Sequence, residues 1–236
     1  MKFVSLFSGI GGLDLGLERA GMKCVLQVEE NLFARAVLEH HFPGISRIND
    51  VREVTAADVK GVDLIAGGFP CQDISFAGKG AGINGERSGL WAEFFRLIRE
   101  SRPSFVLIEN VPALFIRGIE RVLGDIASIG YDAEWQTIQA SDFRLPHRRK
   151  RVFIVAYPNS FDGKARMGNR EKTEIFRSDR KERNAVHVQA APSPDRMDDG
   201  IPSWIYQRAV QGLGNAVAVP VGEWIGKKII ATKDLM

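Results

Sequence analysis

Short apolar runs alternate with amphipathic segments along the first 130 residues of the chain. The apolar runs predict strands at residues 2–7, 23–30, 62–68 and 104–111. Segments with apolar residues at helical spacing follow them and predict helices at residues 13–21, 31–42, 89–101 and 115–130, the second with Asn31 as its N-cap. Strands alternating with helices are typical of βαβ units, so the pattern predicts an α/β fold: a mostly parallel sheet with helices on both faces.

The pattern changes after Gly130. Residues 132–140 and 151–157 predict two more strands, which we expect to form an antiparallel edge of the sheet, and residues 219–231 predict a final helix. Between residues 159 and 183 the chain is polar, charged and poor in aliphatic residues, which is typical of an irregular lobe. We therefore expect a main domain at residues 1–157, a short insert at 158–206 and a segment at 207–236 that returns to the main domain.

Composition sets the compartment and the class of partner. The 236 residues are 44% hydrophobic, with no apolar run of the roughly 20 residues that span a bilayer. With two cysteines and no leader-like N-terminus, we expect a cytoplasmic protein in a reducing compartment, without a membrane partner. The net charge of +3 is small, but residues 144–151 (RLPHRRKR) concentrate positive charge, which favours a polyanionic partner.

A glycine turn and two carboxylates indicate a nucleoside site. The turn "FSGIGG" (residues 7–12) joins a strand to a helix, where backbone amides can approach a ligand. Glu29 ends the next strand and Asp50 follows a possible third one, so both carboxylates are expected at the same edge of the sheet. Each alone is more often a surface residue or a helix cap. As a pair at successive strand ends they favour an adenosine site.

Cys71, in "GGFPCQDIS", lies just beyond a predicted strand. A cysteine there is commonly an inert packing residue, and the alternative is a nucleophile. Three other residues favour the second interpretation. Glu109 ends the neighbouring apolar strand, where burial suits a carboxyl group that holds a proton. Arg149 and Arg151 are two residues apart at the start of another strand, so both are expected on one face.

These motifs resemble those of the DNA (cytosine-5)-methyltransferases. The resemblance is carried, in the family's order, by "SLFSGIGGLDLGLERAG", "VEE", "NDV", "GGFPCQDIS", "ERSGLW", "ENV", "RRKRVFIVA" and "GLGNAVAVPV". It covers residues 3–157 and 207–230. It implies a Rossmann-like methyltransferase fold with a minimal recognition lobe, S-adenosylmethionine as the cofactor and double-stranded DNA as the substrate; no metal site is expected.

The resemblance also implies roles for the catalytic residues. The Cys71 thiolate would add to C6 of cytosine, so that C5 can take a methyl group. Glu109 would hold or donate the proton at N3, Arg151 would bind O2, and Arg149 would orient and support these groups. The implied cofactor-binding residues are Phe7, Ser8, Gly9, Gly11, Gly12, Glu29, Glu30, Asp50, Val51, Pro70, Leu90, Asn215, Ala216 and Val217.

A duplex hides the ring of its target cytosine, so the base would have to leave the stack. Residues 72–89 are rich in glycine and fit a loop that closes over DNA. The implied DNA contacts are Gln72, Ser75, Lys79, Arg87, His147 and Arg148.

The chain departs from the family pattern at two places. The family usually has glutamine where this chain has His147, and its recognition region is usually much longer than residues 158–206. A methyltransferase with a short recognition segment is the favoured interpretation, with a monomer expected and a restriction enzyme as a potential partner. Two alternatives stay open: an enzyme acting on RNA, since one branch of the family acts on tRNA, and a weakly active nucleic-acid-binding protein that needs a partner.

Overall fold

The computed structural model of the chain describes residues 1–70, 90–159, 175–176 and 211–234. The strands within these ranges form one seven-stranded sheet in the order β3-β2-β1-β4-β5-β7-β6. Their bounds are β1 Lys2–Leu6, β2 Lys23–Val28, β3 Ser46–Ile48, β4 Leu64–Gly67, β5 Phe105–Asn110, β6 Tyr131–Gln139 and β7 Lys150–Pro158. The neighbouring strands β3, β2, β1, β4 and β5 pair in parallel, and β7 pairs antiparallel with both β5 and β6. The predicted parallel sheet with an antiparallel edge is confirmed.

Helices connect these strands as the apolar spacing predicts. Their bounds are α1 Gly12–Arg19, α2 Leu32–His41, α3 Leu90–Ser101, α4 Leu114–Arg117, α5 Ile119–Ser128 and α6 Val219–Asp234. The predicted N-cap of α2 is confirmed, because Asn31 accepts hydrogen bonds from the backbone N–H groups of Phe33 and Ala34. The single helix predicted over residues 115–130 is wrong. Gly118 takes a non-helical backbone conformation that separates α4 from α5.

The sheet is buried on both faces because side chains alternate along each strand. In β5, Val106 and Ile108 pack into one apolar core with the inner faces of α3 and α5. Phe105 and Leu107 point the other way and pack into a second core with α1 and α6. Burial on both faces explains why β4 and the first four residues of β5 form apolar runs.

The C-terminal helix α6 packs against α1, and small residues allow the close approach. A Cβ atom at Gly16 would lie 2.7 Å from the carbonyl oxygen of Val219, and one at Gly226 would lie 2.7 Å from the Cβ of Ala20. The segment before α6 is therefore held against the turn that precedes α1. Residues 211–215 of that segment are helical.

Candidate active site

A cavity of about 280 Å³ opens where β1, β4 and β5 end. It lies at the point of the sheet where the strand order reverses, the usual place for a ligand in an open α/β fold. Residues that the sequence selects for catalysis and residues that it selects for cofactor binding line this same cavity. Its walls include ten of the residues that the sequence analysis selected: Phe7, Ser8, Gly9, Glu29, Pro70, Glu109, Arg151, Asn215, Ala216 and Val217.

Glu109 and Arg151 form an ion pair in the cavity wall. The Nε atom of Arg151 lies 3.0 Å from Oε1 of Glu109, and 12% of the Glu109 side chain is exposed. The pair forms because β5 and β7 are antiparallel neighbours whose register places Glu109 opposite Phe153. Arg151, two residues before Phe153, therefore has its side chain on the same face of the sheet and reaches the carboxylate.

The pKa of Glu109 is raised above its usual value. Burial is the main cause, and the positive charges of Arg151 and Arg149 act against it. Because burial has the larger effect, Glu109 holds a proton up to a higher pH than an exposed glutamate does. The pair thus combines a carboxyl group suited to holding a proton with a guanidinium group whose donors suit a carbonyl oxygen.

Two residues that the sequence analysis did not select shape this part of the site. Gly68 is one, because a Cβ atom there would overlap Oε2 of Glu109. Asn110 is the other: its side-chain amide donates to the carbonyl oxygen of Phe69 at 3.2 Å, and its Oδ1 atom accepts from the backbone N–H of Val111 at 2.8 Å. Asn110 thereby ties the segment that ends at Pro70 to the end of β5. The only signals in the sequence are the doubled glycine before Phe69 and the "EN" pair.

The turn after β1 forms another wall. Phe7 has a φ of +55°, a left-handed conformation that costs a residue with a side chain on the order of 1–3 kcal/mol. A Cβ atom at Gly9 would have no other atom within 4 Å, so the backbone at Gly9 faces open space. These features suit close approach of a ligand to the turn.

Glu29 closes this wall of the cavity. Its carboxylate accepts hydrogen bonds from the backbone N–H of Gly9 at 2.7 Å and of Asn31 at 2.8 Å. Burial raises its pKa, and these two hydrogen bonds act against the increase. The carboxylate thus links the ends of β1 and β2 and still has one edge in the cavity wall.

Several residues selected for cofactor binding lie outside the cavity wall: Gly11, Gly12, Glu30, Asp50, Val51 and Leu90. Packing explains the glycine at position 12, because a Cβ atom there would overlap the carbonyl oxygen of Val217. Asp50 caps a short 3-10 turn at residues 51–53, where its Oδ1 atom accepts from the N–H of Arg52 at 2.9 Å. Glu30 is exposed and Val51 is buried.

The basic segment lies beside the cavity. Arg149 donates a hydrogen bond to the carbonyl oxygen of Gly214, which joins the start of β7 to the segment before α6. His147 and Arg148 are exposed. Cys71 and four residues selected for DNA contacts lie outside the described residues: Gln72, Ser75, Lys79 and Arg87.

Across residues 1–70, 90–159, 175–176 and 211–234, no group of three or more histidine, cysteine or acidic side chains could hold a metal ion. None of the helices described has the length and apolarity needed to cross a membrane.

Comparison with known proteins identifies the family. The model of the C-5 cytosine-specific DNA methylases matches residues 1–199. The chain is 42% identical over 164 residues to the Type II methyltransferase M2.BsuMI of Bacillus subtilis, a match that covers 66% of this chain and 42% of that protein. It is 31% identical over 166 residues to the Type II methyltransferase M.HhaI of Haemophilus parahaemolyticus, covering 69% and 50%.

A solved structure has the same fold. The crystal structure of a DNMT2 variant from Spodoptera frugiperda superposes with a TM-score of 0.57 at 24% identity, over 67% of this chain and 50% of that one. The chain spans about half the length, or less, of the curated relatives it matches. The match over residues 1–199 shows that the chain belongs to the C-5 cytosine-specific DNA methylase family, whose fold is that of the S-adenosylmethionine-dependent methyltransferases.

Proposed function

We propose that the protein is a DNA (cytosine-5)-methyltransferase that transfers a methyl group to C5 of cytosine in double-stranded DNA. The observation that carries the proposal is the ion pair between Glu109 and Arg151 in the cavity wall. The backbone of Gly68 adjoins this pair, and the segment from Gly68 to Pro70 leads directly into Cys71. Methylation at C5 of cytosine needs an acid that holds a proton, a guanidinium donor and a thiol. Glu109 and Arg151 supply the first two, and Cys71 directly follows the segment beside them.

The chemistry follows from the weak nucleophilicity of C5. In the proposed mechanism the thiolate of Cys71 forms a bond to C6 while N3 takes a proton from Glu109, and this makes C5 electron-rich. Arg151 donates to O2 and stabilises the charge that develops on the ring, with Arg149 supporting it. After C5 has been methylated, it loses its proton and the C6–S bond breaks. The thiolate of Cys71 is then regenerated.

The cofactor that we propose for this cavity is S-adenosylmethionine, which supplies the methyl group when it is bound. Two features of the turn after β1 support this choice: open space faces Gly9, and the partly buried carboxylate of Glu29 is suited to ribose hydroxyl groups. In our proposal Phe7 packs on the adenine, Asp50 binds its amino group, and the segment at residues 215–217 closes the cavity.

Double-stranded DNA is the substrate we propose, with the target base rotated out of the helix. His147 and Arg148 are exposed next to the catalytic Arg149 and are suited to phosphate contacts. Gln72, Ser75, Lys79 and Arg87 would contact DNA from the segment that follows Cys71. We further propose that residues 158–206 read the target sequence, that the enzyme acts as a monomer, and that a restriction enzyme accompanies it.

Covalent trapping tests this proposal. A duplex containing 5-fluorocytosine should form a stable adduct with the protein in the presence of S-adenosylmethionine, because the C5–F bond prevents release of the thiol. We expect no adduct with Cys71→Ser and a normal adduct with the control Cys24→Ser. Cys24 is a suitable control because it is completely buried in the second core, and burial raises its pKa. An adduct with Cys71→Ser would contradict the proposal, and an adduct formed on RNA but not on DNA would identify the other substrate.

A further inference from the structure

A chain of buried hydrogen bonds leads from the cavity into the core. The hydroxyl group of Ser8, in the cavity wall, lies 2.9 Å from the hydroxyl oxygen of Ser5, which donates to Oδ2 of Asp14 at 2.9 Å. The side-chain amide of Gln27 donates to the other carboxylate oxygen at 2.8 Å. Ser5, Asp14 and Gln27 are at most 1% exposed. The chain of bonds joins β1, α1 and β2 beneath the turn after β1.

The carboxylate of Asp14 is costly for the fold. A buried charge destabilises a protein unless good partners compensate it, and an apolar residue of similar size often serves the core better. Among the described residues, the groups that act most strongly on Asp14 are neutral or negative: Ser5 and Gln27 donate to it, and Glu18 on the same helix is a like charge. Cys24 on β2 carries a thiol with a raised pKa. Asp14 has no part in the catalysis, cofactor binding or DNA binding that we propose above. Its burial therefore points to a role in the adjoining cavity.

The direction of each hydrogen bond follows from the carboxylate. Burial raises the pKa of Asp14 to about 6, so the group is mainly ionised at pH 7.5 and can only accept. The hydroxyl hydrogen of Ser5 must therefore point to Asp14. Because a hydroxyl group has one hydrogen, Ser5 can then only accept from Ser8. The hydrogen of Ser8 points inward, to the oxygen atoms of Ser5, whether to the hydroxyl or to the carbonyl oxygen at 3.1 Å.

We propose that Asp14 and Ser5 are positioning residues that fix the Ser8 hydroxyl group as a hydrogen-bond acceptor towards the cavity. The ligand group that meets Ser8 is then a donor, and in S-adenosylmethionine the donor at the amino-acid end is the α-ammonium group. The inference rests on the proposed cofactor. It adds the orientation of the amino-acid end and assigns Asp14 to the recognition of a positive charge, which the nearby carboxylate of Glu29 also favours.

Binding measurements with two ligands test the orientation. S-adenosylhomocysteine keeps the ammonium group, whereas 5′-methylthioadenosine lacks the whole amino-acid part. By calorimetry, Ser8→Ala and Asp14→Asn should each weaken binding of S-adenosylhomocysteine about 10-fold and change the Kd of 5′-methylthioadenosine by less than about twofold. The Asp14→Asn substitution acts on the ligand indirectly. The new side-chain amide can donate to Ser5, so that the Ser5 hydroxyl group can donate to Ser8 instead of accepting from it.

The control is Thr232→Val, which removes another buried hydroxyl group, in α6, and should leave both Kd values unchanged. A general loosening of the turn would weaken both ligands equally in the Ser8→Ala variant, and this result would overturn the inference. Unchanged binding of S-adenosylhomocysteine by Ser8→Ala would also overturn the inference. This variant keeps the buried carboxylate, so it tests the inference even if Asp14→Asn does not fold. A wild-type protein that binds neither ligand would overturn the proposed cofactor itself, and the inference with it.

Discussion

If the proposed mechanism holds, replacing Gly68 with alanine should abolish methyl transfer through its effect on Glu109. The added Cβ atom would overlap Oε2 of Glu109, and it would also lie 3.5 Å from Cδ of the same side chain. An unrestrained glutamate could swing aside at little cost. Glu109 is buried and held 3.0 Å from Arg151, so movement weakens a charge-assisted hydrogen bond of about 1.5–3 kcal/mol. We expect the free energy of unfolding to fall by a similar amount.

The effect on catalysis should be larger than the effect on stability. A general acid contributes about 10²- to 10⁴-fold to the rate, and displacing its carboxyl group should remove most of that from kcat. Initial rates of transfer of a tritiated methyl group to DNA measure kcat, and urea denaturation measures stability. The matched control is Gly124→Ala in α5, where a Cβ atom meets nothing within 4 Å. The free energy of unfolding of this control should increase by about 0.5–1 kcal/mol, and its activity should be unchanged. A folded Gly68→Ala variant with kcat within about threefold of wild type would refute the proposed role of Glu109.

Three further substitutions test other parts of the site. Glu109→Gln keeps the shape of the side chain but cannot supply the proton, so kcat should fall at least about 100-fold with an unchanged Kd for S-adenosylhomocysteine; normal turnover would exclude an acid role. Gly12→Ala should lower the free energy of unfolding, measured by urea denaturation, by about 1–3 kcal/mol, because its Cβ atom overlaps the carbonyl oxygen of Val217 in the segment that closes the cavity. Burial raises the pKa of Asp14 to about 6, so stability that the protonated group confers at low pH is lost as the pH rises through that value. The stability of wild type relative to Asp14→Asn should therefore fall by roughly 2–3 kcal/mol between pH 4 and pH 7, and a constant difference would contradict the raised pKa.

The sequence predicts the strands well because burial on both faces leaves a clear pattern. Strand β4 and residues 105–108 of β5 are apolar runs, and α3 has one apolar stripe. The break at Gly118 was missed because apolar spacing continues through both α4 and α5. The position of β7 between β5 and β6 was also beyond the pattern, since the pairing of strands depends on tertiary contacts rather than on local periodicity.

In the candidate site too, some residues could be predicted from the sequence and others could not. Glu109 could be selected because a carboxylate that ends a buried apolar strand is costly to ionise unless it is paired. The contacts around it could not, because Gly68 and Asn110 act on residues about forty positions away in the chain. Asp14 was missed for another reason: an aspartate in the first turn of a helix is ordinarily a favourable, exposed residue. Its importance appears only when β1 and β2 cover it.

Product analysis is the most direct test of the central claim. The protein is incubated with S-adenosylmethionine and unmethylated duplex DNA, the DNA is digested to nucleosides, and the digest is analysed by mass spectrometry. The wild-type protein should yield 5-methyldeoxycytidine, and Cys71→Ser should yield none. No 5-methyldeoxycytidine from folded, cofactor-binding protein would exclude methylation at C5 of cytosine, and so would N4-methyldeoxycytidine or N6-methyldeoxyadenosine in its place.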